Sequence, residues 1–233
     1  MVVPRVDRKL TAMHTLAYET PTPEQMKQAM AKAQGKLLIV DFDETLWLRN
    51  STESFLAHAR PAPLAAAILR GLDLTRPWRI IGGRRRARDY RDWIRVLAIA
   101  TLMPWTLRRW ARIAPKLGRT FSNTGLEQLM TASNPARTVI VSNGYTVIIA
   151  PLLEGYPEPR PQLVAASLMS GWKWRRAGKL ANTEAVFDAL LLDGATVVTD
   201  HEDDAELLAR VGNGLLCVWP EARYERAFAK CDT

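Results

Sequence analysis

The sequence predicts an α/β fold with a helical insertion, and three observations support that prediction. Short apolar runs recur with acidic or hydroxyl residues at their carboxyl ends, helix-patterned stretches separate most of them, and residues 48–135 hold no convincing strand. At 233 residues the chain suits one medium domain with an insertion, or two small domains, and can bury a real core. Hydrophobic residues make up 48% and charged residues 24%, and no low-complexity tract appears, which excludes a disordered or fibrous chain.

After a polar leader, the Pro21-Thr-Pro-Glu segment predicts a short helix through Gln34, capped by Thr20 or Thr22 and stopped by Gly35. The next run, Lys36-Leu-Leu-Ile-Val-Asp41, is continuous and apolar, the pattern of a strand buried on both faces in a parallel sheet. Residues 48–135, rich in Ala, Leu, Arg and Trp, read as a helical cap inserted after that strand. Further strands are predicted at residues 138–141, 163–166, 195–199 and 215–219, with helices at 182–192 and 203–210. The alternation gives a Rossmann-like parallel sheet. The expected organisation is a leader and helix over 1–35, a catalytic core from 36–47 and 136–233, and a cap over 48–135.

The net charge of +8 is unevenly placed, because residues 51–130 hold 15 of the 32 basic residues and only 5 of the 24 acidic ones. Such a segment attracts a phosphate ester, a nucleic-acid backbone or an acidic membrane surface. Within it Arg84, Arg88, Arg91 and Arg95 recur at helical spacing, with Tyr90, Ile94 and Leu97 on another face. A second stretch sets Trp105, Arg108, Arg109 and Arg112 along one side and Leu107, Trp110, Ala111 and Ala114 roughly opposite, with Pro115 expected to end it. Arginine with interfacial tryptophan suits a helix lying on an anionic membrane, and equally a packed cap with solvated arginines; both readings stay open. No nucleic-acid recognition motif accompanies the charge. The most apolar run, residues 96–105, is half of the ~20 residues a bilayer span needs, so no transmembrane helix is expected. Cys217 and Cys231 lack metal-ligand spacing and the first residues lack the apolar run of a signal peptide, so the expected location is cytoplasmic, and peripheral to the inner membrane face only on the membrane-lying reading of the cap.

Ligands of open parallel sheets bind beyond the carboxyl ends of the strands, and four segments place polar groups there. Asp41-Phe-Asp43-Glu-Thr45 offers two carboxylates, and Ser142-Asn143-Gly144 offers a hydroxyl, an amide and a glycine that suit phosphoryl oxygens. Gly178-Lys179 supplies a point cation, and Asp200-His-Glu-Asp203-Asp204 an acidic cluster able to help hold a hard cation. Together they meet the needs of phosphoryl transfer: a carboxylate nucleophile, a protonated carboxyl for the leaving oxygen, and positive charge around the equatorial oxygens. A carboxylate repels a phosphate dianion, so magnesium and Lys179 are needed to neutralise the site. Each residue alone has a plainer role: Asp43, Thr45 or Asp203 as a helix cap, Lys179 as a solvated cation. His201 reads as a solvated histidine beside an acid, and His14 and His58 show no partner pattern.

In order and spacing, these segments resemble the four motifs of the haloacid dehalogenase superfamily of phosphohydrolases, over the whole chain apart from the leader. The resemblance implies that Asp41 is the nucleophile and that Asp43 is the general acid/base and, through its backbone carbonyl, a magnesium ligand. It implies Ser142 as a phosphate donor, Lys179 as the charge clamp, Asp200 as a magnesium ligand and Asp204 in the outer shell. The insertion after the first motif resembles the phosphoserine-phosphatase-like branch, as does the 168–179 stretch, expected to hairpin around Ser170 and Gly171. Two departures stand out: Glu44 replaces a common Gly, and Thr199 and His201 flank Asp200 where Gly and Ser are frequent. Asn50 stands nine residues beyond Asp41, where phosphoserine phosphatases are expected to place a substrate-gripping Glu, which argues against phosphoserine. The implied activity is magnesium-dependent hydrolysis of a phosphomonoester, metabolite or lipid-linked. Its rivals are a phosphotransferase with the same intermediate and a non-catalytic phosphate-recognising module docking on membrane or nucleic acid.

Overall fold

The computed structural model describes residues 22–217 and 219–223, by backbone alone at residues 23, 82–89, 202, 220 and 223. Thr20, His14, Cys231 and the side chains of Arg84 and Arg88 lie outside the described residues. Helix α1 (Pro23–Ala31) opens on Thr22, which makes a reciprocal capping box with Gln25, and Pro23 in the first turn forfeits no helical bond. It ends three residues before Gln34. Gly35, in the left-handed region at φ +65°, turns the chain into β1 (Leu37–Val40), whose four side chains are all buried.

The insertion is helical throughout: α2 (Ser51–Ala57), α3 (Ala62–Thr75), α4 (Pro77–Leu102), α5 (Trp105–Thr120) and α6 (Thr124–Ser133). Then follow β2 (Arg137–Tyr145), α7 (Thr146–Leu153), β3 (Gln162–Ala166), α8 (Gly171–Ala177), α9 (Lys179–Glu184), α10 (Ala189–Asp193), β4 (Thr196–Thr199), α11 (Ala205–Arg210) and β5 (Asn213–Leu216). The five strands form one wholly parallel sheet in the order β3-β2-β1-β4-β5. Because the chain leaves β1 toward β2 on one side and returns to β4 on the other, the topological switch point lies at the carboxyl end of β1, where such sheets bind ligands.

Alternate side chains of the strands feed two cores. Leu38, Val40, Ile140 and Val198 face α1, α7 and the insertion, in a cluster with Phe55, Val96, Ile99, Trp110 and Leu126. Leu37, Ile39, Val139, Val141 and Val197 face Phe187, Leu192 and Leu207 on the other side. The insertion therefore shares the main core of the sheet rather than building one of its own.

Three local expectations are corrected. Pro115 does not end its helix: α5 runs on to Thr120, held by backbone packing against α7. A Cβ at Gly118 would lie 2.0 Å from the Leu152 carbonyl oxygen, and one at Gly155 2.0 Å from that of Pro115. This close approach keeps the helix going past the hydrogen bond that proline lacks. The 168–179 stretch does not hairpin around Ser170 and Gly171 but carries α8 over its residues 171–177, and the buried Gly171 lets the Tyr145 ring pack against the backbone. The helix expected over 182–192 is split into α9 and α10. Among the described residues no helix is long and apolar enough to cross a membrane.

Candidate active site

Asp41 directly follows β1, and its amide still bonds to the Val198 carbonyl of β4 at 2.9 Å, so the sheet fixes its position. Beyond it the chain coils tightly: the Leu46 and Trp47 amides return to the Asp41 and Phe42 carbonyls. Phe42, Leu46 and Trp47 drop into the core, with Phe42 and Trp47 stacked at 5.9 Å, which leaves the acids on the solvent side of the loop. Glu44 sits in the left-handed region at φ 60°, where glycine is free of strain and a side chain costs roughly 1 kcal/mol. The position where the motif commonly has Gly thus keeps that backbone conformation.

Lys179, at the start of α9, is the electrostatic centre. Its Nζ lies 3.0 Å from Asp41 Oδ2 and 2.5 Å from Asp204 Oδ2, and all three side chains are nearly inaccessible to solvent. Burial works against the ammonium, but the Asp41 and Asp204 carboxylates more than offset it and hold the lysine above its usual range. Thr199 Oγ1 donates to Asp204 Oδ2 and lies 3.4 Å from Asp41 Oδ2. Asp204 is thereby placed as counter-ion and anchor of Lys179. Asp41 Oδ1 accepts the Phe42 amide at 2.7 Å. Desolvation pushes Asp41 up to about 6, opposed by Lys179 and helped by Asp204 and Asp200.

Asp43 enters the same cleft from the next alternate position. Its Oδ1 accepts the Ser51 amide at 2.6 Å at the amino end of α2, and desolvation pushes the carboxyl up to about 6 against that bond. Gly144 makes room for it: a Cβ there would lie 3.3 Å from Asp43 Oδ2 and 2.7 Å from Ile149 Cδ1. β2 runs four residues beyond its predicted end, carrying Ser142 and Asn143 past Asp43, with an irregular register against β3 between Val141 and Tyr145. The buried Ser142 hydroxyl accepts the Gly144 amide at 2.9 Å and keeps its hydrogen to donate. Asn143 Oδ1 is buried with no hydrogen-bond partner. α8 clamps this strand end, with Trp174 Nε1 on the Ser142 carbonyl and Arg175 Nε on the Asn143 carbonyl.

No family model, no curated protein and no solved structure matches this chain. Asp41, Asp43, Asn143, Lys179, Asp200, Asp204 and Ser142 all line one cleft of about 510 Å³ at the switch point. Asp200 follows β4 as Asp41 follows β1, and its Oδ1 accepts the Thr45 hydroxyl at 3.1 Å. Desolvation, with the Glu44 charge beside it, pushes Asp200 up to about 6.

Among the described residues no group of three or more His, Cys, Asp or Glu side chains is arranged as a metal site. Magnesium does not require one, since one or two carboxylates hold it while it keeps several waters. Asp41 and Asp200 stand at adjacent strand ends, and the Asp200 charge is one of the causes that raise Asp41. The crevice thus holds negative charge that its own lysine does not fully neutralise, and its donors are hard oxygens. That donor set fits magnesium.

The cap behaves differently from its sequence pattern. Its tryptophans are mostly structural: Trp78 and Trp110 are buried, Trp110 Nε1 donates to the Ile148 carbonyl, and Trp93 Nε1 to that of Leu168. Trp105 is half exposed but donates to the Arg60 carbonyl at 2.6 Å. Arg108, Arg109 and Arg112 are exposed, and so is Ala111. Arg91 and Arg95 line the same cleft, and Arg175 pairs with Asp92 of α4 at 2.9 Å, joining cap to core. Arg175 carried no signal in the sequence, whereas Thr45 and Thr199 stood out only as a candidate helix cap and as a neighbour of Asp200, not as the hydroxyls that bond to Asp200 and Asp204.

Proposed function

We propose that this protein is a magnesium-dependent phosphatase that cleaves a phosphomonoester through an aspartyl-phosphate on Asp41, as its haloacid dehalogenase-like motifs imply. The observation behind the reading is Lys179 bridging Asp41 and Asp204 at the switch point, with Asp43 in the same cleft. An Asp41 carboxylate oxygen attacks phosphorus while the bond to the leaving oxygen breaks, and the Asp43 carboxyl gives that oxygen its proton. Asp43, now ionised, takes a proton from a water whose oxygen attacks the acyl phosphate, which frees inorganic phosphate and restores the Asp41 carboxylate. Burial serves this role, because a carboxyl held at about 6 exchanges its proton near neutral pH. Lys179, Ser142 and Asn143 face the phosphoryl oxygens, and Asp204 holds Lys179. The Asp41 and Asp200 carboxylates and the Asp43 carbonyl would hold magnesium, which supplies positive charge against those oxygens.

Two readouts test this together. Phosphate release from a panel of phosphomonoesters is expected to require magnesium. Independently, Asp41, Asp43 and Asp200 each stand at about 6 against an ordinary 3.8, so between those pH values the folded protein holds protons that the unfolded chain has lost. Stability of the metal-free protein is therefore expected to fall as pH rises through that window. Magnesium favours the ionised carboxylates, so it should raise the melting temperature more at pH 7 than at pH 5. An equal magnesium effect at both pH values, with no turnover, would count against the assignment.

One observation favours a substrate at a membrane surface, lipid-linked and on the cytoplasmic side. Leu74, Ile80 and Ile81 are 83%, 84% and 60% exposed around the turn at Arg76, flanked by exposed Arg70, Arg76 and Arg79. Apolar side chains ringed by arginine suit an anionic lipid surface. Sedimentation with anionic but not neutral vesicles, weakened by Leu74→Ser with Ile80→Ser, is the expected result; indifference to lipid charge would remove this reading.

A further inference from the structure

The cleft is larger than a phosphoryl group needs, and its two walls differ. The core wall holds the reacting carboxylates and Lys179, whereas the cap wall presents Asn50 and Glu53 near α2 and two arginines, Arg91 and Arg95, from α4. Four residues apart, these arginines share one helix face. Arg91 is exposed to the cleft, and no ion-pair partner for it is present among the described residues. Arg95 spends one terminal nitrogen on Asp73 at 3.1 Å, while its Nε is buried with no hydrogen-bond partner. A buried guanidinium nitrogen without an acceptor is costly to leave unmade. The acid next in sequence to Arg91, Asp92, does not relieve it, because Arg175 takes that carboxylate.

We propose that Arg91 and Arg95 form a second anion-binding subsite, so that the substrate is a phosphomonoester whose polar leaving group bears another negative group, a carboxylate, phosphate or phosphodiester. The inference builds on the phosphatase reading and specifies its substrate class. The scissile phosphate meets Lys179 and the carboxylate pair, the middle of the leaving group lies against Asn50 and Glu53, which suit hydroxyls, and the second anion meets the α4 arginines. Arginine forks give such anions paired, charge-assisted hydrogen bonds. Among the described residues Leu56 is the one large apolar residue lining the cleft, so a lipid substrate would keep its tail outside and present only its headgroup.

The test compares a hexose bisphosphate with the matching hexose monophosphate, and carboxyphenyl phosphate with phenyl phosphate. Turnover is measured in the wild type and in Arg91→Ala and Arg91→Lys, and binding by calorimetry in Asp41→Asn. The wild type is expected to prefer the doubly anionic member of each pair through KM. Arg91→Ala is expected to cut that preference about tenfold to a hundredfold, with Arg91→Lys restoring part of it. Repeating the assay with a phosphorylated lipid headgroup in vesicles and with its water-soluble analogue separates a lipid from a soluble source of the second anion. Turnover that ignores the second anion overturns the subsite while leaving the phosphatase reading in place. Arg91-dependent binding of the bisphosphate without any turnover upholds the subsite and overturns the phosphatase reading. No discrimination in either readout overturns the inference.

Discussion

Asp41→Asn is expected to abolish phosphate release, lowering turnover by about 10⁴-fold or more, while the protein stays folded. The loss is that large because the side chain forms the covalent intermediate itself, and no neighbour substitutes: Asp43 is bonded to the Ser51 amide and Asp204 to Lys179 and Thr199. Folding survives because asparagine keeps the shape and an acceptor oxygen for the Phe42 amide, and Lys179 retains Asp204 as its counter-ion. Steady-state phosphate release together with a thermal melt checks both halves. Substantial residual turnover would move the nucleophile elsewhere.

Lys179→Met is expected to cost both activity and stability. Removing one member of a buried ion-pair network leaves uncompensated charge, a penalty of about 3–5 kcal/mol. Two carboxylates, Asp41 and Asp204, lose their partner here at once. The sign with pH is fixed: Asp41 already stands at about 6 with the ammonium beside it and is pushed higher without it, so the loss should be small below about pH 6 and grow as pH rises above it. Denaturant unfolding at pH 4.5 and 7.5 measures it. Adding Asp204→Asn to Lys179→Met should recover part of the stability and none of the activity, since the clamp on the phosphoryl oxygens is still missing. A loss independent of pH would mean that Lys179 acts through packing alone.

The sheet was legible because a strand buried on both faces in a parallel sheet is apolar throughout and the residue after it is free to be polar. Leu37 to Val40 followed by Asp41 shows that signature directly, and Thr196 to Thr199 followed by Asp200 shows it with a buried threonine at each end of the run. Asp41 and Asp200 were legible for the same reason, and one cleft collects them with Asp43, Ser142, Asn143, Lys179 and Asp204. What misled were features decided by tertiary contact. Pro115 normally ends a helix, yet the approach of Gly118 and Gly155 between α5 and α7 holds α5 together beyond it. Ser170 and Gly171 look like a turn, but Gly171 is there to admit the Tyr145 ring. Helical periodicity put Arg91 and Arg95 on one face but could not say whether that face met solvent, membrane or cleft. The tryptophans beside them looked interfacial, and most of their indole N–H groups are spent on backbone carbonyls inside the fold.

The most direct test of the central claim is chemical trapping of the intermediate. Protein turning over a phosphomonoester with magnesium is quenched with borohydride, which reduces an aspartyl-phosphate to homoserine, and the modified peptide is located by mass spectrometry. The account predicts homoserine at position 41, dependent on both magnesium and substrate and absent from Asp41→Asn. Magnesium-dependent phosphate release with Asp41 unmodified, or modification at another carboxylate, would contradict it.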